Sequence, residues 1–424
     1  MYELNIAVIG TGYVGAVTGA CLANLGNTII FVGRNKEKLN LIESGKSPIF
    51  EPGLDQLLID NNERISTMTD LSDAVYKTDI TFICVGTPSK FDGSIDLQQI
   101  NDVSVAIGKS LATSEKRHTI IVKSTVLPGT TEQLVIPVLE RESGKKAFLE
   151  FGIASNPEFL KEGSAIEDFF HTDRVVIGVN DPETENVIKK IYSSLNVPIF
   201  STNIKTSEMI KYVSNAFLAT KISFANEIGN LCKQMEIDSY EVFRGVGLDT
   251  RISPHFFRSG IGFGGSCFPK DVRALIAHAR NLGIDPRVLK AVMGTNEDQP
   301  VKMVELLKHH MDISGKTVGV LGLSFKPDSD DVRESRAIPI IRLLIEQGAA
   351  VIAFDPVAMD NFKPHFPDIH FAETAEEVLA TDAILIVTEW KEFENLDYRG
   401  KIIIDGRRIE KARKESKIYE GVCW

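Results

Sequence analysis

The chain has 424 residues, 43% hydrophobic and 25% charged, a soluble globular balance in a length too great for one ordinary core. Its formal net charge of −11 argues against nucleic acid as a bulk partner, since phosphate backbones call for a basic surface. No apolar run reaches the roughly 18 residues of a membrane span, and the first strand-like run already starts at Asn5, which leaves no room for a secretory leader. A cytoplasmic protein with no membrane partner is expected. Cys21, Cys84, Cys232, Cys267 and Cys423 form no CxxC pair and no zinc spacing, so no metal site is expected. Their odd number fits a reducing compartment.

The N-terminus reads as strand, tight turn, helix. Ile6 to Ile9 is a short apolar run, GTGYVG (Gly10, Thr11, Gly12, Tyr13, Val14, Gly15) follows at once, and a helical segment runs to about Leu25 before Gly26. Glycines at this spacing allow a tight turn, close approach to a pyrophosphate and close helix–strand packing, with the helix N-terminus facing the phosphates. A dinucleotide site is expected there. The second strand, Thr28 to Val32, ends in Gly33-Arg34, with Lys36 and Lys38 beyond. A carboxylate at that strand end would mark NAD; its absence beside Arg34 and Lys38 leaves NAD or NADP open, with Arg34 either meeting a 2′-phosphate or stacking on adenine.

Asp79–Val85 and His118–Thr125 supply two further strands, and continuous apolar strands between helix-length segments indicate a parallel sheet covered on both faces. From Lys205 to Met235, apolar residues recur at Ile210, Val213, Phe217, Phe224, Ile228, Leu231 and Met235, predicting an unusually long helix of the kind that joins domains or subunits. The C-terminal third repeats the opening plan: strands in Lys316–Phe325, in AAVIAFDP and in DAILIVTEW, with Lys401–Arg408 closing the series as His118–Thr125 closes the first. The fold class is α/β: two Rossmann-like doubly wound parallel-sheet domains joined by a helical central domain, at residues 1–200, 201–314 and 315–424.

Four of the cysteines have bland settings: Cys21 and Cys232 in helices, Cys84 in an apolar strand, Cys423 at a frayed terminus. Cys267 lies in GFGGSCFPKD (Gly262 to Asp271), where glycines let backbone wrap a ligand and a helix begins near Pro269. A thiol at a helix N-terminus beside Lys270 is set for thiolate chemistry.

That string resembles the catalytic loop of UDP-glucose 6-dehydrogenases, within the UDP-glucose/GDP-mannose dehydrogenase family. Five other segments resemble that family in the same order: KSTVLPGTT (Lys123 to Thr131), NPEFLKEG (Asn156 to Gly163), KYVSNAF (Lys211 to Phe217), GLSFKPDSDDVRES (Gly322 to Ser335) and DGRR (Asp405 to Arg408). The resemblance implies a four-electron oxidation of a nucleotide sugar's primary alcohol, in which Cys267 adds to the aldehyde as nucleophile and passes through a thioester. It gives Lys211 and Asn215 oxyanion stabilisation, Asp271 general-base or water-positioning work, and Thr125 and Glu158 the hydrolytic water. Dinucleotide contacts implied are the turn residues with Thr87, Ser124, Thr125, Glu162, Lys270 and Arg333. Substrate contacts implied are Glu158, Phe159, Leu160, Lys161, Glu162, Lys211, Asn215, Arg258, Phe263, Gly264, Phe325, Lys326 and Arg407, with Arg251 reaching a neighbouring subunit's substrate in a homodimer or larger homo-oligomer. Gly33 departs from the family's aspartate. Alternatives to UDP-glucose are GDP-mannose and a UDP-N-acetylhexosamine, and in another class a non-catalytic nucleotide-sugar or dinucleotide sensor.

Overall fold

A computed structural model describes residues 3–424, and in it the polypeptide forms two compact units that meet in sequence at Val213/Ser214. The first unit carries β1 (Asn5–Ile9), β2 (Thr28–Val32), β3 (Ile65–Met68), β4 (Ile80–Ile83), β5 (Thr119–Val122), β6 (Gly152–Ser155), β7 (Val175–Val179) and β8 (Ile199–Thr202). These form one sheet in the order β3-β2-β1-β4-β5-β6-β7-β8. Strand order reverses between β1 and β4, the crevice where open α/β sheets bind ligands. Both faces are covered: Val8, Phe31 and Phe82 pack on one side with the first helix (Tyr13–Asn24), while Ile9, Ile83, Ile107 and Phe151 pack on the other.

The expected parallel sheet is present from β3 through β6, but not throughout. β6 and β7 pair antiparallel, with Ala154 opposite Val179, so β7 and β8 run against the rest. Nor does the series close after β5, since three more strands follow it. β6 and β7 are both short continuous apolar runs, and their sequences carry nothing that reports direction.

The second unit holds β9 (Thr317–Leu321), β10 (Ala350–Phe354), β11 (His370–Phe371), β12 (Ala383–Ile386), β13 (Ile402–Asp405) and β14 (Ile418–Gly421), all parallel, in the order β11-β10-β9-β12-β13-β14. It has the same switch-point layout, now between β9 and β12, and β14 again extends the sheet beyond the expected last strand. Two apolar layers cover it, one around Val318, Val320, Ile340 and Leu385, the other around Leu321, Ile384, Phe393 and Tyr398.

The long helix spans Ile204–Gln234, 31 residues, beginning in the first unit and continuing in the second. Its buried line is Tyr212, Ala216, Ala219, Ile222 and Ala225. Much of the apolar repeat read from the sequence points the other way: Val213, Phe217, Phe224, Leu231 and Met235 are each more than half exposed. Gly229 lies on the packed side, where an added Cβ would come 2.7 Å from the Cβ of Cys423. Cys423 is therefore not at a frayed end. It is buried with its Sγ 3.4 Å from Gln299 Nε2, and burial pushes its thiol up to about 12. No helix among the described residues is long and apolar enough to cross a membrane.

Candidate active site

In the first unit the dinucleotide turn follows β1 directly. Gly10 has φ +111°, and a Cβ there would sit 2.5 Å from the carbonyl oxygen of Cys84, just beyond β4. A Cβ on Gly15 would run into the Gly10 carbonyl oxygen, so the helix could not approach the strand. Gly12, the N-cap of the first helix, has open space where its Cβ would point. Turn and helix thus leave free backbone N–H groups facing an open cradle, which fits a dinucleotide pyrophosphate. Thr11 is buried while Tyr13 and Val14 are half-buried at the helix start. A Cβ on Gly33 would lie 3.1 Å from Thr11 Cγ2, so the space an acidic side chain would need is narrowed by Thr11. Arg34 is exposed beside it, and Lys38 is half-buried one helical turn on.

At the ends of β4 and β5, Thr87 donates to the Thr125 carbonyl (2.9 Å) and Ser124 to the Val85 carbonyl (2.7 Å), which knits the two strand-end loops together. Glu158 follows β6 in a buried loop. Its carboxylate pairs with Lys211 Nζ at 2.9 Å and accepts from the Leu160 N–H at 2.6 Å. Burial opposes ionisation of Glu158, but Lys211, the Leu160 N–H and the more distant Lys123 outweigh it and hold the carboxyl below the ordinary glutamate range. Lys211 also lies 5.4 Å from the ring centroid of Phe159, whose ring is covered by Arg174 at 4.2 Å. Lys161 turns away to Asp168 at 2.9 Å. The structure therefore brings Glu158, Phe159, Leu160 and Lys211 together; Glu162 lies half-buried at the end of the same segment.

In the second unit Cys267 is the N-cap of the helix Phe268–Asn281, with Pro269 in its first turn. Among the five cysteines it alone is partly exposed; the other four are buried. Ser266 Oγ lies 3.6 Å from its Sγ. One turn into the helix, Asp271 is 1% exposed and accepts from Asn215 Nδ2 and Lys270 Nζ, both at 2.6 Å. Lys270 is thus partnered by Asp271, and Asn215 reaches that same carboxylate. The glycine loop before Cys267 is closely packed: a Cβ on Gly265 would lie 2.7 Å from the Phe325 ring, and Gly264 backs onto the Glu334 carbonyl. Phe263 is buried and meets Phe268 edge-on at 6.0 Å. Lys326 stands 5.6 Å from the Phe325 ring centroid. Arg407 donates to the Val387 carbonyl (2.7 Å) and lies 3.3 Å from Glu389, whose other oxygen is 3.4 Å from Arg258. Arg251 and Arg333 are largely exposed and paired with near neighbours, Asp249 and Asp331.

Residues 4–196 match the NAD binding domain of the UDP-glucose/GDP-mannose dehydrogenase family, residues 205–298 its central domain and residues 319–412 its UDP binding domain. The chain belongs to that family. It is similar to UDP-glucose 6-dehydrogenase AglM of Haloferax volcanii, 43% identical over 99% of this chain and 100% of that one. Its fold matches a UDP-glucose dehydrogenase of the hyperthermophilic archaeon Pyrobaculum islandicum with a TM-score of 0.96 at 43% identity, covering 100% of this chain and 98% of the other. A GDP-mannose dehydrogenase of Pseudomonas aeruginosa matches with a TM-score of 0.59 at 38% identity, over 99% and 100%.

Two residues of the first unit went unassigned in the sequence. Lys123, at the end of β5, is buried and donates to Asn156 Oδ1 at 3.1 Å, an oxygen that also accepts from Tyr192 at 2.6 Å. Burial drives its ammonium down to about 8, against the pull of Cys84 and Glu158. A cation interrupting the run IIVKS was the available signal. Glu51 is buried and accepts from Tyr13, Gly163 and Ala165. Nothing in the local pattern around it distinguishes it from a surface glutamate before a Pro-Gly turn.

Proposed function

We propose that the protein is a UDP-glucose 6-dehydrogenase that takes the sugar's C6 alcohol to the carboxylate in four electrons, with Cys267 as the covalent nucleophile. The observation that carries this reading is the placement of Cys267: a partly exposed thiol at the N-cap of a helix, one turn from a buried carboxylate held by Asn215 and Lys270. The helix N-terminus favours the thiolate, and the thiolate is the form that attacks a carbonyl.

The Gly10–Gly15 turn would hold a nicotinamide dinucleotide, which would supply the hydride acceptor, two molecules in succession for each sugar oxidised. Asp271 is the base that takes the alcohol proton as the first hydride leaves. The Cys267 thiolate then adds to the aldehyde carbon, giving a tetrahedral thiohemiacetal. Loss of the second hydride leaves a thioester, and water splits this to the acid and free thiol. Lys211 and Asn215 stabilise charge on the sugar oxygen. Glu158, ionised within its pair with Lys211, and Thr125 orient the hydrolytic water. The backbone of Phe159, Leu160, Lys161 and Glu162, with Arg258, Phe263, Gly264, Phe325, Lys326 and Arg407, holds the nucleotide sugar, Lys326 and the arginines meeting its diphosphate.

The working form is a cytoplasmic homodimer joined along the exposed line Val213, Phe217, Phe224, Leu231 and Met235, since so long an apolar stripe calls for a cover and a second copy supplies its match. Arg251 then serves the neighbouring subunit's site. The unacidic stretch after β2, with Arg34 exposed, favours a cofactor bearing a 2′-phosphate, with Arg34 and Lys38 as its cations. The test is initial-rate cofactor reduction with UDP-glucose, GDP-mannose and UDP-N-acetylmannosamine. UDP-glucose should give the highest kcat/KM by at least tenfold; a higher value with either other sugar would overturn the substrate assignment.

A further inference from the structure

Glu51 lies in the loop between the helices Lys36–Glu43 and Leu54–Asp60, far in sequence from the turn and from the sugar-binding segment, yet its carboxylate joins the two. One oxygen accepts from the Tyr13 hydroxyl and from the Gly163 N–H at 2.6 Å; the other accepts from the Ala165 N–H at 2.7 Å. The Gly163 N–H also lies 3.2 Å from the Tyr13 oxygen, closing a three-way contact. Tyr13 is the first residue of the turn helix, and Ala165 is the first of the helix Ala165–Phe170. Gly163 has φ +79°, a conformation in which its N–H turns into this cluster. Burial and the adjoining Glu51 carboxylate push the Tyr13 phenol above its ordinary range, so it remains a donor.

We infer that Glu51 is a positioning residue that couples dinucleotide binding at the Gly10–Gly15 turn to the order of the nucleotide-sugar segment Phe159–Ala165. The inference rests on the functional reading above. A ligand seated on the turn fixes the first residues of the helix, and with them Tyr13. Tyr13 fixes the Glu51 carboxylate, which then holds two backbone N–H groups at the end of the sugar segment. Each bond to the Glu51 carboxylate is charge-assisted, the one from Ala165 is buried and the other two are partly so, and the arrangement breaks as a unit rather than by degrees. By linkage the sugar must then favour dinucleotide binding by the same factor.

The experiment uses the full-length enzyme, Tyr13→Phe and Glu51→Gln. Dinucleotide affinity is measured by calorimetry with and without UDP-glucose, and amide exchange of the 159–166 segment with and without dinucleotide. Tyr13→Phe keeps the ring and removes only the hydroxyl, so it retains the fold even where Glu51→Gln does not. In wild type the sugar should tighten dinucleotide binding about fivefold or more, and dinucleotide alone should slow exchange in the segment. In Tyr13→Phe the coupling factor should fall to near one and the protection should vanish, whatever the change in intrinsic affinity. Equal coupling and protection in wild type and Tyr13→Phe would overturn the inference, leaving Glu51 a purely structural cap. So would a wild type that binds both ligands with neither coupling nor protection. A wild type that binds neither would overturn the functional reading as well.

Discussion

Replacing Lys211 with Met tests how the first unit supports a buried charge. Lys211 and Glu158 are both almost fully buried and their charged atoms are 2.9 Å apart. Methionine keeps the stem and its packing against Phe159 but leaves Glu158 with only the Leu160 N–H and distant Lys123 for support. Breaking a buried pair by removing one partner costs about 3–5 kcal/mol. In a unit of this size that lowers the thermal midpoint by roughly 6–20 °C. The pH dependence has a definite sign. In wild type the Glu158 carboxyl titrates below its unfolded value, so its contribution is present above the ordinary glutamate range and lost as pH falls from there through the lower folded value. Without Lys211, burial alone drives the carboxyl up, the folded state binds the extra proton, and the mutant's deficit shrinks on acidification from neutral pH. Denaturant unfolding of wild type, Lys211→Met, Glu158→Gln and the double mutant, at neutral pH and near pH 5, measures all of this. The double mutant should recover part of the loss. A single-mutant cost below about 1 kcal/mol, the value of an exposed pair, or strict additivity in the cycle would refute the reasoning.

Lys123 should impose a slope of the same sign as wild-type Glu158, but at alkaline pH. Its folded value of about 8 lies below the free-lysine 10.5, so the unfolded chain holds the proton more tightly and stability rises with pH between them. The full span corresponds to about 3 kcal/mol, and unfolding of Lys123→Met at pH 7.5 and 10 should show that rise missing. If the proposed dimer forms along the long helix, Phe217→Glu with Phe224→Glu should halve the mass in sedimentation velocity while each unit stays folded; a monomeric wild type or an unchanged mass in the variant would overturn that interface. Arg34→Ala should weaken binding of 2′,5′-ADP about tenfold or more in calorimetry and leave 5′-AMP nearly unaffected, and equal losses for both would mean that Arg34 stacks on the base.

Much of this molecule was legible because its local signals agree with its tertiary demands. GTGYVG follows an apolar strand and opens a helix, and the glycines at 10 and 15 sit where any Cβ would strike backbone. Cys267 stood out because a glycine-rich loop and a first-turn proline mark a helix start. Strand direction was not legible, since β7 is a continuous apolar run like the strands β1 and β2, which run the other way. The long helix was readable from its period, but the period could not tell a core stripe from one left on the surface. Cys423 was misread because a terminus carries no sign of the Gly229 hollow that receives it. Glu51 was invisible because its partners lie 38, 112 and 114 residues away along the chain.

The central claim is that one cysteine makes this a four-electron enzyme, and counting reduced cofactor per UDP-glucose consumed tests it most directly, in wild type and Cys267→Ser. The account predicts two equivalents per sugar for wild type, and turnover lost or stalled at a covalent adduct in the mutant. One equivalent per sugar, or a Cys267→Ser enzyme as active as wild type, would contradict it.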